Sequence, residues 1–368
     1  MKILMFTDVY FPRAGGISTS IRTLRNALIT LGHRSTLIAP SLADAVPEEG
    51  VIRHSLPIRL IEGRLRDERF DLIHVFTPEH AHKDAVAMGD RLGLPVIASC
   101  LYPYEEEALS ASRLPAAWTR ARARRRAGER YQQAQAIVVP SAGLHRWLRA
   151  CHVTRPIHEI RVGLDADEFL PSDRASVRIR FRIPAERPIL LHIGRLSPWK
   201  QVDFLIRVVH RVLPTAPNLL FVIAGEGPQQ ERLRQLVERL NMPGNVLFQG
   251  TLSRETELMH SFAAADVLLR APQVEAQCQV MLEALAHGVP VLTTDNDASR
   301  DISGPARGVV IAPPTEAEYA VSLLALLRDL PLRQRLSQDG RAFALEWHAE
   351  KMAARLLQVY GGLTLGRR

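Results

Sequence analysis

Two carboxylates stand eight positions apart in Glu275-Ala-Gln-Cys-Gln-Val-Met-Leu-Glu283, one just before an expected helix and one inside it. Gly288 and Pro290 stop that helix, as a C-terminal glycine followed by proline does. Val289 to Thr294 then reads as a short buried strand. A helix N-terminus at the carboxyl ends of strands is a ready anion site. Carboxylates repel phosphate, so these two are better suited to accept hydrogen bonds from hydroxyls, as on a sugar or a ribose. The combination points to a ligand carrying both phosphate and hydroxyls, a nucleotide sugar. Taken alone, the same spacing fits two solvated acids flanking a helix.

Further loops have the same character. Gly194-Arg195-Leu-Ser-Pro-Trp-Lys200 places two cations after a strand end. Arginine grips phosphate in fork geometry and lysine supplies a compact point charge; two solvated loop cations are the plainer alternative. In Gly225-Glu226-Gly227-Pro228 the glycines let a backbone approach a ligand closely, although any strand-to-helix turn can look so. Gly15-Gly16 also follows a strand and opens a helix. It lacks the spacing of a dinucleotide fingerprint and equally fits a plain turn.

The elements behind these loops form two βα series. Strands are expected at Ile3 to Phe6, Ser35 to Ala39, Leu72 to Phe76, Pro95 to Ser99 and Ala136 to Val139. A second set runs from Pro188 to Gly194, then Leu219 to Ala224, Val246 to Gln249, Val267 to Arg270, Val289 to Thr294 and Gly308 to Ile311. Ile21, Leu24, Leu28 and Leu31 give the first helix an apolar stripe that Gly32 ends. Thr315-Glu316-Ala317-Glu318 has capping-box form. Short apolar strands alternating with helices indicate an α/β fold with doubly covered parallel sheets. Leu164 to Pro184, which includes Pro171, reads as the connection between halves, and a last helix near Trp347 to Tyr360 has no strand after it.

At 368 residues, 46% of them hydrophobic, the chain is long enough for two domains with substantial cores. No apolar run reaches membrane-span length, and Met1-Lys-Ile-Leu-Met-Phe-Thr-Asp8 is charged too soon for a signal peptide. Cys100, Cys151 and Cys278 are scattered and odd in number, which argues against a disulfide framework and fits a reducing, cytoplasmic setting. The net charge of +8 implies attraction to something anionic. Four of the 47 basic residues are lysines, Lys2, Lys83, Lys200 and Lys351, an arginine bias that genome composition alone could produce.

Together these residues resemble the retaining GT-B glycosyltransferases of family 4, over nearly the whole chain. The resemblance runs through Gly15-Gly16, Asp71-Leu-Ile-His74, Val139-Pro140-Ser141, Gly163-Leu-Asp165-x3-Phe169, Gly194-Arg195-x4-Lys200 and Gly225-x-Gly227-Pro228. It continues through Val246-x-Phe248-x-Gly250, Ala265-Asp266, Glu275-x7-Glu283 and Gly288-x-Pro290. It implies two Rossmann-like doubly wound domains facing each other across a cleft: residues 1–168 on the acceptor side, 169–345 for the nucleotide sugar, and 346–368 as a helix returning to the first domain.

By the same resemblance Arg195 and Lys200 hold the donor diphosphate and stabilise the leaving group. Glu275 binds hydroxyls of the transferred sugar and Glu283 those of the ribose. Gly194, Gly225, Gly227, Gly250, Cys278, Gln279 and Val280 line the donor, with the amides of Gln279 and Val280 at the phosphate and the base near Gly250 to Leu252. Gly15 and Gly16 approach the diphosphate from the first domain. The implied reaction moves a hexose from a nucleoside diphosphate to a lipid, lipid-linked or glycan hydroxyl. Gln277 resembles the branch that glycosylates diacylglycerol and favours a UDP-sugar, although Cys278 replaces that branch's glycine.

The chain departs from the family where a histidine commonly stands near the sugar: Leu101 occupies that position. Retention without a covalent intermediate lets the departing phosphate oxygen take the acceptor proton, so this change does not remove the chemistry. Tyr102, Tyr104, Glu105, His80 and His82 are candidate substitutes, although each taken singly fits a structural or surface group better than a catalyst. No cofactor or metal is expected. Asp165-Ala-Asp167 and Asp295-Asn-Asp297 mimic a metal-binding pair but lie in the connection and after a later strand.

Arg113 to Arg130 carries Arg120, Arg122, Arg124, Arg125 and Arg126 around Leu114 and Trp118. As a helix it offers a basic surface for anionic headgroups at the inner face of a membrane, with Arg120 and Arg124 on the acceptor side, or simply a solvated helix. No aromatic platform for nucleic acid accompanies it. Two other functions fit the same fold: a nucleotide-sugar epimerase or hydrolase, and a noncatalytic nucleotide-sugar-binding subunit.

Overall fold

The computed structural model describes residues 1–12, 15–54, 65, 68–105, 108, 115–170, 173–180, 183–252, 257–273, 275, 278–300 and 302–365. Arg113, Leu114, Pro171, Ala276 and Gln277, which entered the sequence reading, lie outside the described residues. The chain divides into two compact units, Met1–Asp165 with His348–Arg368, and Ala166–Trp347.

The first unit is built on a seven-stranded sheet, all of whose pairings are parallel, in the order β3-β2-β1-β4-β5-β6-β7. Its strands are Lys2–Phe6, Arg34–Pro40, Val51–His54, Leu72–Val75, Val96–Ser99, Ala136–Val139 and Ile157–Glu159, β1 to β7 in chain order. The central strands β4, β5 and β6 are buried at every residue, as crossover helices on both faces require. The edge strands β3 and β7 are partly exposed throughout.

The chain leaves and re-enters this unit side by side: Leu164 bridges His348 in parallel, and the Ala349 amide donates to the Leu164 carbonyl at 2.9 Å. That close passage explains Gly163, where a Cβ would stand 2.4 Å from the Ala349 Cα. The helix Ala349–Leu365 then packs on Gly16–Thr30 through Ala353, Leu356 and Tyr360. Tyr360 also hydrogen-bonds His74 of β4, with 2.6 Å between Oη and Nδ1, and His74 Nε2 meets Ser99 Oγ at 2.8 Å. Burial holds the His74 imidazole neutral, pushing its pKa down to about 3.

The second unit carries a six-stranded sheet in the order β10-β9-β8-β11-β12-β13, again with parallel pairings. These strands are Ile189–Ile193, Leu220–Ala224, Val246–Gly250, Val267–Arg270, Val291–Thr294 and Val309–Ala312, β8 to β13. The helix after β8, Val202–Val212, buries Val202, Leu205, Ile206, Val208, Val209 and Val212 along one stripe, about 1.5–3 kcal/mol for each fully buried aliphatic side chain. Thr315 caps the helix Glu316–Arg328, its hydroxyl accepting from the Glu318 amide at 3.3 Å. Asp266, just ahead of β11, accepts from the Ile189 amide at 2.8 Å and pairs with Arg174 and Arg178. It thereby fixes the start of β8.

Both sheets have the doubly wound order 3-2-1-4-5-6 over their first six strands, so strand order reverses between the first and fourth strand. Ligands bind at that switch point, beyond the carboxyl ends of the strands. In the second unit the reversal lies between β8 and β11, the strands that precede the Gly194–Lys200 loop and Glu275.

Candidate functional site

At the end of β8 the chain passes through Gly194 at φ +151, where a Cβ would also lie 3.2 Å from Arg270 Nη1. A short 3-10 turn, Pro198–Lys200, follows, and Gln201 in left-handed conformation turns the chain into the next helix. The β9 loop supports this segment closely. Leu196 N donates to Glu226 O at 2.9 Å, and Gln229 N donates to Leu196 O at 3.0 Å. A Cβ at Gly225 would fall 2.1 Å from Gly194 O, and one at Gly227 would fall 2.4 Å from Leu196 O. These two glycines are required by backbone contact alone. Gly250, at φ +72, receives the Gly225 amide on its carbonyl at 2.6 Å. Four of the predicted donor-site glycines thus form one backbone layer across β8, β9 and β10.

Opposite them, after β11, Glu275 meets two cations on one oxygen. Lys200 Nζ is 2.8 Å from Glu275 Oε2, and Arg270 Nη2 bonds the same atom. Arg270 is 3% exposed; its Nη1 donates to Ile193 O at 2.8 Å, and its own carbonyl receives the Tyr319 hydroxyl at 3.0 Å. The loop is tied down by Gln273 N donating to Trp199 O at 2.9 Å. His192 lies beneath, fully buried, with Nδ1 3.2 Å from Leu269 O. Burial, reinforced by the neighbouring Arg270 charge, pushes its pKa down to about 3. The imidazole is neutral, and the cluster's charge rests on Lys200, Arg270 and Glu275.

The helix Gln279–Ala286 begins at Cys278, itself buried and in left-handed conformation at φ 55. Its first amides, Gln279 and Val280, precede the intrahelical ladder, whereas Met281 N and Leu282 N donate to Cys278 O. Glu283 is 2% exposed within this helix. Past its end, His287 stacks on Phe262 with 5.1 Å between ring centroids, and its Nε2 is 3.2 Å from Glu168 Oε2. Arg195 stands exposed on the rim, its side chain making no hydrogen bond among the described residues.

Sequence reasoning missed Arg270 and His192. Arg270 ends an apolar strand, where a cation ordinarily reaches solvent, and His192 reads as one polar letter in a buried strand. A buried strand-end cation beside a strand-end glycine is the signal that was available.

Gly15, Gly16 and the acceptor-side candidates belong to the first unit. A Cβ at Gly15 or Gly16 would meet nothing within 4 Å, so packing within the unit does not require either glycine. Glu105 and Arg124 hold each other in a two-pronged pair, 2.6 and 3.2 Å. The Tyr104 hydroxyl is enclosed, and burial, with Tyr102 and Cys100 close by, raises its pKa well above the usual range. Glu105 and the Tyr104 hydroxyl are enclosed by the local fold, whereas the Arg124 side chain, although paired with Glu105, stays 45% exposed. Tyr102 is half-buried against Tyr104 at 4.2 Å between centroids, and Arg120 is exposed. Leu101 is buried and, with His74, lines a cavity of about 40 Å³.

Of the two aspartate pairs, Asp165 accepts from Thr23 Oγ1 at 2.6 Å and Asp295 pairs with Arg300 at 2.9 Å. Among the described residues no group of three or more metal-ligating side chains is present, and no helix is long and apolar enough to cross a membrane.

Comparison with known proteins matches the described architecture. The family model for glycosyl transferases group 1 covers residues 173–343, and that for Glycosyltransferase Family 4 covers residues 14–168. A GDP-mannose-dependent alpha-mannosyltransferase of Mycolicibacterium smegmatis is 27% identical over 83% of each chain. A GDP-mannose-dependent alpha-(1-6)-phosphatidylinositol monomannoside mannosyltransferase of the same organism is 26% identical over 98% of each. Among solved structures, sucrose-phosphate synthase from Thermosynechococcus elongatus superposes with a TM-score of 0.83 at 20% identity, over 99% of both chains. The chain has the α/β GT-B fold and belongs to glycosyltransferase family 4. It is a glycosyltransferase.

Proposed function

We propose that this enzyme transfers a hexosyl group, with retention, from a nucleoside diphosphate sugar to a hydroxyl of a lipid or lipid-linked acceptor, without a metal. The observation that carries this reading is the meeting of Lys200 and Glu275 beside the Gly194 turn. It supports the reading because a cation of the kind that suits phosphate stands beside a carboxylate of the kind that suits hydroxyls, at the switch point of the second sheet. Arg195 on the rim and the amides of Gln279 and Val280 complete an anion cradle, and Glu283 takes the ribose. The donor proton balance follows the resemblance: the departing phosphate oxygen accepts the acceptor's proton as the new glycosidic bond forms.

The UDP-sugar favoured from Gln277 yields here to GDP-mannose. Gln277 lies outside the described residues, and the relatives matching 83% and 98% of the chain carry GDP-mannose-dependent names.

For the acceptor we propose attachment to an anionic membrane through the helix Ala116–Tyr131. Arg124 and Arg130 are turned to Glu105 and to the Pro78 and Glu79 carbonyls, whereas Arg120, Arg122, Arg125 and Arg126 face solvent beside Trp118, itself 76% exposed. An exposed tryptophan among arginines suits a headgroup interface.

A thermal-shift screen of GDP-, UDP- and ADP-sugars with wild type and Glu283→Ala tests the donor assignment. Stabilisation of the wild type by GDP-mannose, lost in the variant, is expected. No stabilisation by any nucleotide sugar contradicts it.

A further inference from the structure

Lys200 has two calls on its charge: Glu275 in the structure and, under the proposed function, the donor diphosphate. A lysine committed to a half-buried carboxylate is poorly placed to bind phosphate. The structure supplies a second counter-ion at the same atom, because Arg270 Nη2 bonds the Glu275 Oε2 that Lys200 also contacts.

We infer that Arg270 is a positioning residue which neutralises Glu275 from below and so leaves Lys200 available to the diphosphate. The inference rests on the donor-site reading above.

Three features fix Arg270 in this role. Its Nη1 bond to Ile193 O anchors the guanidinium to the end of β8, and its backbone carbonyl is held by Tyr319, whose hydroxyl also donates to Leu292 O at 2.7 Å. Its side chain is 3% exposed, against 16% for Lys200, so Arg270 stays behind while Lys200 is the cation able to reach a ligand. Gly194 leaves room for the guanidinium, since a Cβ there would stand 3.2 Å from Nη1. Two cations on one carboxylate leave one net positive charge, where a single Lys200–Glu275 pair would leave none. The neutral His192 alongside neither adds to that charge nor cancels it.

The test is a binding cycle with GDP and UDP, which carry the diphosphate but no sugar for Glu275 to contact. Calorimetry is run on wild type, Arg270→Leu, Arg270→Lys, Glu275→Gln and the double variant Arg270→Leu/Glu275→Gln, with folding checked by circular dichroism. Arg270→Leu is expected to weaken nucleoside diphosphate binding by about tenfold or more, because Lys200 becomes the sole partner of Glu275. Arg270→Lys should retain most of the affinity. The double variant should recover it, since Lys200 is again released, although sugar transfer remains low. A purely structural role for Arg270 predicts no recovery in the double variant.

If Arg270→Leu does not fold, Arg270→Gln keeps a donor to Ile193 O without the charge and carries the same expectations. Binding by the single variant at wild-type strength, or a double variant no better than the single, overturns the inference and leaves the donor site standing. A folded wild type that binds neither nucleotide overturns the donor-site reading and this inference with it.

Discussion

Lys200 and Glu275, 75 residues apart in sequence, meet with Nζ 2.8 Å from Oε2. Their loops leave the two strands between which the order of the second sheet reverses, β8 and β11, which pair in register through Leu191 and Leu268. Glu275 lies in no helix or strand, and Lys200 ends the short 3-10 turn Pro198–Lys200. The parallel pairing places both, and the Gly194, Gly225 and Gly227 contacts bring the supporting loops close enough.

Glu275→Gln keeps the shape of the side chain and removes the charge. Turnover is expected to fall about 10²-fold or more, the scale for losing one group that acts on the transition state, while GDP binding is retained or strengthened. Steady-state kinetics with separate KM and kcat, alongside calorimetry, check this. Unchanged turnover would place Glu275 outside the chemistry.

The glycines divide into two kinds. Gly225→Ala and Gly227→Ala each force a Cβ onto a backbone oxygen, and each should cost about 2–4 kcal/mol, or prevent folding of the second unit. Gly16→Ala meets open space at the first position of a helix, so stability should hold or rise by up to about 1 kcal/mol. A clear loss of stability in Gly16→Ala would contradict this division. Chemical denaturation and kinetics on the three variants separate packing from function.

Stability should fall in mild acid. His74, His82 and His192 are buried neutral, with pKa values pushed down to about 3, 4 and 3 by burial. In the unfolded chain each titrates near 6.5, so below that pH the unfolded state binds more protons than the folded state. Stability is therefore full above about pH 6.5 and is lost progressively toward pH 4, by on the order of 1.4 kcal/mol per pH unit for each histidine. Urea midpoints between pH 7.5 and 5 provide the check. A flat profile would mean that the imidazoles are solvated or paired.

Much of the scaffold was legible because apolar strands in a doubly covered sheet announce themselves: Ala136–Val139 and Val267–Arg270 fall where the sequence puts them. The edge strands Val51–His54 and Ile157–Glu159 were missed, since half-exposed edges mix arginine, histidine and glutamate with aliphatics and carry no apolar run. The site was legible as residue types on loops. Its pairing was not, because the Arg270–Glu275–Lys200 contact depends on which strands are neighbours. The same limit applies to Glu105, whose partner Arg124 is 19 residues away and looks solvated in sequence.

The arginines of the helix Ala116–Tyr131 should separate by direction. Reversing Arg120, Arg122, Arg125 and Arg126 to glutamate should abolish cosedimentation with anionic vesicles, each arginine contributing roughly 1 kcal/mol at a charged surface, without lowering the melting temperature. Arg124→Ala should instead destabilise the first unit by about 1–3 kcal/mol, since it leaves the buried Glu105 without its two-pronged partner. Equal vesicle binding by the reversed variant would remove this helix from membrane contact.

The most direct measurement is calorimetric titration of GDP and GDP-mannose into wild type and Lys200→Ala. The expected result is saturable one-to-one binding to the wild type, weakened about tenfold or more in the variant, in line with a charge-assisted phosphate contact of about 1.5–3 kcal/mol. Equal affinity in the two proteins, or no binding of either nucleotide by folded wild type, would contradict the assignment of the donor site.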